Sequence, residues 1–325
     1  MSKIEINKNF HMLKKRGLSP FELKEYSEYR RKWEEYPLQR KVGRFPIHLD
    51  IEMTSSCNLK CPFCITTYAN FKNGLMKYEL FKTIIDEGSE KGLYSIKLNW
   101  RGESTIHPKL PEMISYAKKK CIIYVFLNTN ATLLTKEKSV SLIEAGIDRI
   151  IISFEGYEKE FYESQRVGAV FENTVKNIKN LMSIKKTLGK SLPWVRLQTI
   201  LLEGLQSKIE RYSKFLSEIV DEVAYIDLKN EVCRISVNKS DWACPQLWQR
   251  MTISWDGNIM PCVNDHFGKM CLGRIPKTNI EDAWRSGRLE NMRDIHIKGL
   301  AHDIDGCLDC PLRSAQILKS DVIEA

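Results

Sequence analysis

The sequence predicts an α/β fold, a partial (β/α)6 TIM-like barrel with a small C-terminal β-hairpin/helix metal domain. In the middle of the chain, short apolar runs alternate with segments of helical periodicity, and glycines follow the helical segments. Such alternation is typical of parallel βα units. Nearer the C-terminus the pattern changes to short runs and turns with several tryptophans and cysteines. We therefore expect three parts: a helical N-terminal extension over 1–43, the barrel over 44–235 and the metal domain over 236–325.

The expected barrel contains six βα units. Strands are predicted at 47–53, 95–99, 122–128, 149–154, 194–201 and 223–228. Helices are predicted at 78–91, 109–120, 135–145, 171–188 and 206–219. Six units are too few for a closed eightfold barrel, and barrels of this kind keep their sites at the C-terminal ends of the strands. In the extension, Ser19 and Pro20 are typical of a helix start, so a helix is predicted at 21–35.

Composition limits the class of protein. The 325 residues are 43% hydrophobic and 28% charged, as in an ordinary soluble globular protein. No apolar run is long enough to span a membrane, and the N-terminus has no secretory h-region, so we expect a cytoplasmic protein without a membrane partner. Ten cysteines in a reducing compartment indicate metal or redox use rather than disulfides. The net charge of +9 is compatible with nucleic acid, with an anionic small substrate or with solubility alone. The sequence contains no basic tract with interleaved aromatic residues, so a nucleic-acid partner is not expected.

Three cysteines follow the first predicted strand within eight residues: Cys57, Cys61 and Cys64. Iron–sulfur clusters normally take four cysteines, so a close group of three leaves one iron without a protein ligand. A zinc site or three separate core cysteines are the alternatives. Zinc sites usually pair two CxxC-like clips, and the only close histidine, His48, lies inside the strand rather than in the loop. The spacing therefore favours a cluster with one open iron.

The CxxxCxxC spacing, with the aromatic Phe63 before its last cysteine, resembles the radical S-adenosylmethionine (SAM) superfamily. The resemblance implies that Cys57, Cys61 and Cys64 hold a [4Fe–4S] cluster, with Phe63 among the cofactor-binding residues. It implies that the amino and carboxylate groups of SAM chelate the open iron. An electron from the cluster then releases a 5′-deoxyadenosyl radical, which abstracts hydrogen from the substrate. An electron donor such as flavodoxin or ferredoxin is expected as a partner.

The end of the second predicted strand resembles a SAM-binding motif of the superfamily, Gly-Gly-Glu-Pro. Here the sequence departs at two places, because Arg101 replaces the first glycine and Ser104 replaces the proline. Gly102 and Glu103 remain. The resemblance implies that they receive the amino group of SAM, and a carboxylate facing an ammonium is a strong charge-assisted contact.

The fourth predicted strand ends at Ser153, and Arg166 follows on the next segment. The resemblance implies that these residues bind the ribose and the carboxylate of SAM. An arginine suits a carboxylate because its planar fork can hold both oxygens. The alternative is that Ser153 only caps a turn and that Arg166 is a surface charge.

The C-terminal segment contains a predicted β-hairpin over 251–262, centred on the favoured turn dipeptide Asp-Gly. Its cysteine and glycine spacing resembles the SPASM and twitch modules of radical SAM enzymes. The resemblance implies four ligands for one auxiliary [4Fe–4S] cluster without an open iron. These ligands are Cys244, Cys262, Cys307 and Cys310. No cysteine follows the last of them, so a single-cluster, twitch-type arrangement is expected, with a four-cysteine zinc knuckle as the alternative.

An auxiliary cluster near the substrate can take up the electron left behind when a substrate radical becomes a carbonyl. The expected reaction is therefore a two-electron oxidation of a secondary alcohol on a sugar, aminosugar or cyclitol, and the positive net charge favours a phosphorylated or nucleotide-linked form. Epimerisation is an alternative, in which Cys233 or Cys271 would return a hydrogen atom to the radical. Modification of a ribosomal peptide or protein is another. A non-catalytic zinc-binding protein is the alternative from a different class.

Overall fold

The computed structural model describes residues 10–16, 24–215, 217–228 and 242–317 in full, and residues 3–4 and 318–323 by their backbone alone. The strands are β1 (Lys3–Ile4), β2 (Phe10–Lys15), β3 (His48–Ile51), β4 (Ser95–Lys97), β5 (Tyr124–Thr129), β6 (Arg149–Ser153), β7 (Trp194–Leu201), β8 (Glu222–Asp227), β9 (Trp242–Ala243), β10 (Arg250–Ile253), β11 (Asn258–Met260) and β12 (Gly273–Arg274). The helices are α1 (Lys24–Leu38), α2 (Ile65–Tyr68), α3 (Tyr78–Lys91), α4 (Leu110–Lys119), α5 (Lys136–Glu144), α6 (Lys159–Gln165), α7 (Phe171–Thr187), α8 (Ile209–Lys214), α9 (Ile280–Trp284), α10 (Gly287–Ile297), α11 (Asp305–Leu308) and α12 (Pro311–Ile323).

Three predictions fall on residues that the structure does not describe. Cys233 lies outside the described ranges, and so does the predicted helix start at Ser19 and Pro20. The predicted boundary between residues 235 and 236 lies there as well. These three therefore stay predictions.

Ten strands form one sheet, in the order β12-β11-β10-β3-β4-β5-β6-β7-β8-β2. The six central strands, β3 to β8, are parallel neighbours in sequence order. Helices connect successive strands, as the alternating pattern requires. Within the described ranges the two edge strands, β12 and β2, do not pair, so the sheet stays open. The predicted α/β fold with a partial six-stranded barrel is confirmed.

The barrel is held by apolar side chains on both faces of its strands. The three central isoleucines of β6 are at most 6% exposed, as expected for parallel strands covered on both sides. Helix α3 shows how the covering layer is built, since Phe81, Ile84, Ile85 and Gly88 form its buried stripe at helical spacing. It ends at Gly92, whose φ of 82° is left-handed. No helix in the described part of the chain has both the length and the apolar character needed to cross a bilayer.

The predicted hairpin is present, with β10 and β11 antiparallel and Thr252 opposite Met260. However, β10 also pairs in parallel with β3, so that Thr252 lies opposite Asp50. The hairpin therefore continues the barrel sheet instead of forming a separate layer. Because β10 runs in the same direction as β3, the hairpin turn at 254–257 lies at the C-terminal ends of the barrel strands.

The N-terminal extension is only partly helical, which corrects the prediction for 1–43. Helix α1 is present and packs on the barrel through Tyr29, whose ring centroid lies 6.2 Å from that of Tyr94. Strand β2, however, pairs antiparallel with β8 and extends the sheet at its other edge. His11 of β2 stacks on Tyr225 of β8, with ring centroids 4.5 Å apart. Strand β2 is short and half of its residues are polar, so it carries little apolar pattern of its own, and the edge that it joins decides its conformation.

Candidate active site

A cavity of about 180 Å³ lies at the C-terminal ends of the central barrel strands; we call it the cluster cavity. It brings together every residue predicted for the first cluster and for SAM. These residues are Cys57, Cys61, Cys64, Phe63, Gly102, Glu103, Ser153 and Arg166. They come from the loop after β3, the loop after β4, the end of β6 and the segment after α6. The strand-end position was predicted from the fold, and the convergence of these loops follows from it.

The three thiols of the cluster cavity lie in a loop that folds back on itself, with the Cys64 amide donating to the Cys61 carbonyl over 3.1 Å. Burial raises the pKa of Cys57 and raises the pKa of Cys61 to about 11, and the neighbouring Cys64 raises the pKa of both further. A thiol must lose its proton to bind a metal. Three thiols that line one cavity, two of them buried enough to resist ionisation alone, suit a cluster whose irons stabilise the thiolates together.

Gly102 lets the loop after β4 come close to the cysteine loop. Its φ is +68°, and a Cβ there would lie 2.4 Å from the Thr54 carbonyl oxygen and 2.6 Å from that of Ser56. The next residue, Glu103, donates its amide to the Ser56 carbonyl over 2.8 Å. Both the backbone conformation and the lack of space thus require glycine at this position.

Glu103 is only 3% exposed and its carboxylate is fixed by the protein. Its Oε1 accepts hydrogen bonds from the Thr105 amide, the Thr105 hydroxyl and the Thr129 hydroxyl, over 3.1, 2.6 and 2.8 Å. Its Oε2 accepts from the Asn130 amide over 2.8 Å. Oε1 thus accepts three of these hydrogen bonds and Oε2 one, so that Oε2 has a second acceptor position beyond these contacts. An ammonium group bound at Glu103 would therefore be expected at Oε2.

Arg166 is buried and not a surface charge, so this alternative for it is excluded. Its guanidinium binds both carboxylate oxygens of Glu155, which is fully buried, with 2.7 Å between Nη2 and Oε1. Its Nη1 donates to Cys61 Sγ over 3.6 Å, and its Cζ lies 5.2 Å from the Phe63 ring centroid. Burial alone would lower the pKa of Arg166, but the charge and hydrogen bonds of Glu155 outweigh burial and raise it. The contact with Glu155 was not foreseen from the sequence.

The contacts of Arg101 show why it replaces the first glycine of the Gly-Gly-Glu-Pro motif. It binds Glu52 through both Nε and Nη2, and its Nη1 donates to the His266 carbonyl over 3.0 Å. Its guanidinium is stacked between aromatic rings, 4.1 Å from the centroid of Trp100 and 4.5 Å from that of Phe71. Arg101 therefore joins the end of β4 to the C-terminal segment, which a glycine could not do.

A second cavity, of about 530 Å³, lies between this junction and the hairpin; we call it the hairpin cavity. Trp100, Arg101 and His266 line both the cluster cavity and the hairpin cavity, so the two adjoin. The other walls of the hairpin cavity come from residues 70–72 and from the C-terminal segment. They combine aromatic, charged and amide or hydroxyl groups: Asn70, Phe71, Lys72, Ser254, Trp255, Asp256, Asn258, Met260, Phe267, Gly268 and Cys271. Most of these residues were not foreseen; Cys271 was.

The four C-terminal cysteines that were predicted as ligands line one small cavity, which we call the auxiliary cavity. These cysteines are Cys244, Cys262, Cys307 and Cys310. Burial raises the pKa of Cys262 and of Cys307 well above the usual range, and the neighbouring thiols raise both further. The indole Nε1 of Trp242, which lines the same cavity, is buried and has no hydrogen-bond partner in the described part of the chain. A set of four thiols beside an unmatched N–H donor fits a sulfur-rich cluster.

No three His, Cys, Asp or Glu side chains in the described ranges converge closely enough to hold one metal ion. Four sulfurs around a single zinc, each at about 2.3 Å, would lie within about 4 Å of one another. An iron–sulfur cube binds each cysteine through a different iron and spreads them more widely. The seven cysteines predicted as ligands thus form two separate groups, and neither group is a preformed site for a single metal ion.

Comparisons with known proteins agree with this arrangement. The family described as the radical SAM superfamily matches residues 51–192, and the iron–sulfur cluster-binding SPASM domain matches residues 244–311. A tungsten-containing aldehyde ferredoxin oxidoreductase cofactor-modifying protein of Pyrococcus furiosus is 25% identical over 82% of this chain and 88% of its own length. A probable GTP 3′,8-cyclase of Methanococcus maripaludis is 30% identical, but over only 46% of this chain and 50% of its own length.

Two solved structures share the fold. BtrN in complex with AdoMet and 2-DOIA has a TM-score of 0.59 at 20% identity, over 83% of this chain and 94% of BtrN. The anSMEcpe structure with bound AdoMet has a TM-score of 0.64 at 14% identity, over 84% of this chain and 95% of its own. The family of the chain follows from the two matched domains, from the three cysteines at the strand ends and from the four C-terminal cysteines. It belongs to the radical SAM superfamily, as an enzyme with a C-terminal SPASM or twitch-type domain whose cofactors are SAM and [4Fe–4S] clusters.

Proposed function

We propose that this enzyme is an oxidoreductase that converts a secondary alcohol of a sugar, aminosugar or cyclitol into a ketone in the hairpin cavity. One observation carries the proposal. The segment 260–271 lies between the hairpin cavity and the auxiliary cavity and lines both. Met260, His266 and Cys271 line the hairpin cavity, whereas Cys262 and Met270 line the auxiliary cavity. A substrate in the hairpin cavity would thus have the SAM side on one wall and the auxiliary cysteines behind another.

The proposal assigns the predicted residues to two cofactor sites. Cys57, Cys61 and Cys64 hold the first cluster, and Phe63, Gly102, Glu103, Ser153 and Arg166 surround SAM. Cys244, Cys262, Cys307 and Cys310 hold the auxiliary cluster. Support comes from the convergence of the first eight residues in the cluster cavity and of the last four in the auxiliary cavity.

The oxidation balances with these cofactors. When bound, SAM and the first cluster supply the radical that takes one hydrogen atom from the carbinol carbon, and the auxiliary cluster accepts the second electron. The hydroxyl proton leaves to solvent or to a nearby base, and a C=O double bond replaces the C–H and O–H bonds. A flavodoxin or ferredoxin type of donor would supply the electron that cleaves SAM.

The walls of the hairpin cavity suit a polyhydroxylated ring. The aromatic ring of Trp255 can pack against C–H groups, while Asn70, Ser254 and Asn258 offer hydroxyl partners. Arg101 is already neutralised by Glu52, so the Lys72 ammonium is the wall charge that favours an anionic form such as a phosphorylated or nucleotide-linked sugar. We therefore propose a small carbohydrate, neutral or anionic, as the substrate class.

The test uses anaerobically reconstituted enzyme, SAM, a reductant and candidate alcohols deuterated at the carbinol carbon. We expect deuterium in 5′-deoxyadenosine and a ketone product. Cys262→Ala is expected to form 5′-deoxyadenosine but little ketone, because only the electron acceptor is lost. Cys121→Ala, at an exposed thiol, is the matched control and should retain both products. Full ketone formation by Cys262→Ala would contradict the proposal.

Epimerisation is the second candidate, because Cys271 lines the hairpin cavity and its thiol reaches the Gly273 carbonyl over 3.3 Å. A thiol at this wall could return a hydrogen atom to a substrate radical. In deuterated water an epimerase would give a product that carries solvent deuterium and no ketone. Cys271→Ala would then stop epimer formation while 5′-deoxyadenosine still forms. Cys233 stays a prediction for the same role.

A further inference from the structure

His296 lies in the last turn of α10 and is almost completely buried, at 1% exposed. It lines the auxiliary cavity and contacts two of the four cysteines there. The backbone amide of Cys244 donates to its Nδ1 over 3.2 Å. Its Nε2 lies 3.5 Å from Cys307 Sγ, within the range of a hydrogen bond to sulfur. The imidazole therefore bridges two cysteines that are 63 residues apart in the sequence.

The first of these contacts fixes the tautomer of the ring. A backbone N–H can only donate, so Nδ1 must accept and cannot carry a proton. In a neutral imidazole the proton then lies on Nε2, and Nε2 faces Cys307. His296 is consequently a donor toward the sulfur, in an orientation that the Cys244 amide holds in place.

We propose that His296 is a positioning residue that raises the reduction potential of the auxiliary cluster by donating a hydrogen bond from Nε2 to the sulfur of Cys307. The inference rests on the assignment of Cys244 and Cys307 as ligands under the proposed function. Hydrogen bonds to cluster sulfurs are one of the determinants of potential. An N–H donor stabilises the reduced cluster more than the oxidised one, because reduction adds negative charge to the sulfurs. A higher potential makes the cluster a better acceptor for an electron that leaves the substrate.

Two other donors line the same cavity, Trp242 and Arg313, which is 1% exposed. Both stay in place when only His296 is changed, so a change in potential can be assigned to the imidazole. The prediction concerns a property of the cluster without substrate. The predicted effect on the potential can therefore be contradicted while the proposed oxidation is confirmed. The oxidation can equally be contradicted while the effect on the potential is confirmed.

The experiment compares two amide substitutions in the fully reconstituted enzyme. The amide oxygen of His296→Asn can replace Nδ1 as acceptor for Cys244, but its side chain is too short to donate to Cys307. The longer side chain of His296→Gln can place an amide N–H near the position of Nε2. Asn291→Gln is the control, since Asn291 is exposed on the same helix. The readout is the midpoint potential of the auxiliary cluster, by EPR-monitored titration, with iron content measured on each sample.

We expect His296→Asn to lower the midpoint potential by an amount near a tenfold change in the one-electron equilibrium, about 59 mV. His296→Gln should restore most of the shift, and Asn291→Gln should leave the potential unchanged. An unchanged potential in His296→Asn with full iron content would overturn the proposal. So would equal shifts in the Asn and Gln variants.

A second measurement decides the case in which His296→Asn does not retain the cluster. Wild-type enzyme with 15N-labelled histidine is reduced and studied by pulsed EPR. A weak nitrogen coupling to the auxiliary cluster is expected in the wild type, because Nε2–H contacts the sulfur of a ligand. Its disappearance in His296→Gln, whose amide nitrogen carries no label, assigns the coupling to residue 296. No nitrogen coupling in the wild type would contradict the hydrogen bond.

Discussion

Arg101 and Glu52 form a two-fold hydrogen-bonded ion pair, with Nε 2.7 Å from Oε1 and Nη2 2.9 Å from Oε2. Glu52 follows directly after β3 and is fully buried, while Arg101 follows β4. The same Oε2 accepts the backbone amide of Trp255 over 3.1 Å. One buried carboxylate thus holds the two loops of the cluster cavity and the turn of the hairpin together. The relation between the two cavities depends on this contact.

Replacing Arg101 by methionine is expected to destabilise the protein strongly. The change removes the partner of a fully buried carboxylate, and an unpaired buried charge costs about 3–5 kcal/mol. The loss should appear in anaerobic urea unfolding of the loaded enzyme. Glu52→Gln combined with Arg101→Met should recover part of the loss, because no charge then remains buried. Arg285→Ala, at an exposed arginine, is the control and should change stability by no more than about 0.5 kcal/mol.

Gly102→Ala is expected to remove the first cluster selectively. Its Cβ would come within 2.6 Å of two carbonyl oxygens of the cysteine loop, and it would occupy a left-handed backbone conformation. The loop must move away, and with it the three thiols. We expect SAM cleavage to fall at least tenfold while the auxiliary cluster stays, as measured by iron content and EPR.

Gly92→Ala separates the effect of space from that of backbone conformation. Gly92 also has a positive φ, of 82°, but a Cβ there would meet no atom within 4 Å. The left-handed conformation should lower the free energy of unfolding of this variant by about 1 kcal/mol. The variant should retain full SAM cleavage. Equal losses of activity in the two glycine variants would show that crowding at Gly102 is not the cause.

The iron content of cysteine variants tests the two groups of ligands separately. Two [4Fe–4S] clusters correspond to about eight irons per chain. Replacing Cys57, Cys61 and Cys64 together by alanine should leave about four irons, all in an EPR signal that SAM does not change. Replacing Cys307 and Cys310 should leave the signal that SAM perturbs. Zinc instead of iron in the first variant would support a zinc knuckle at the C-terminal group.

Much of the fold was predictable because it follows from local pattern. The three isoleucines within Arg149–Ser153 favour a strand covered on both faces, because the run is short and β-branched, and the alternation with helices implies a parallel sheet. Three cysteines within eight residues need no long-range information to be placed together. Their position at the C-terminal ends of the strands then follows from chain direction.

The remaining contacts depend on residues that are far apart in sequence. The carboxylates of Glu52 and Glu155 pair with Arg101 and Arg166, but nothing in the local sequence indicates these pairs. The pairing of β10 with β3 joins residues about 200 positions apart, and it decides where the hairpin cavity lies. This strand pairing depends on which edge of the sheet remains open, and a single sequence does not show that edge.

The stability of the enzyme should decrease as the pH falls below about 6.5, in part through two buried histidines. His48 is 1% exposed and His107 is 4% exposed, and burial lowers the pKa of each. The Lys109 amide donates to His107 Nδ1 over 3.1 Å, and His107 Nε2 lies 2.9 Å from the Met76 carbonyl oxygen, so the neutral ring is fully bonded. Both rings therefore stay neutral in the fold at pH values where the unfolded chain protonates them.

The sign follows from the protons bound in each state. Below the ordinary histidine pKa of about 6.5, the unfolded state binds more protons than the folded one, so the free energy of unfolding falls as pH falls. Each histidine contributes up to about 1.4 kcal/mol per pH unit. His48→Gln should therefore reduce the difference in unfolding midpoint between pH 7.5 and pH 5.5, whatever it costs at pH 7.5. Between pH 7.5 and pH 8.5 the variant and the wild type should respond alike, and a parallel response down to pH 5.5 would exclude His48 as a source of the acid sensitivity.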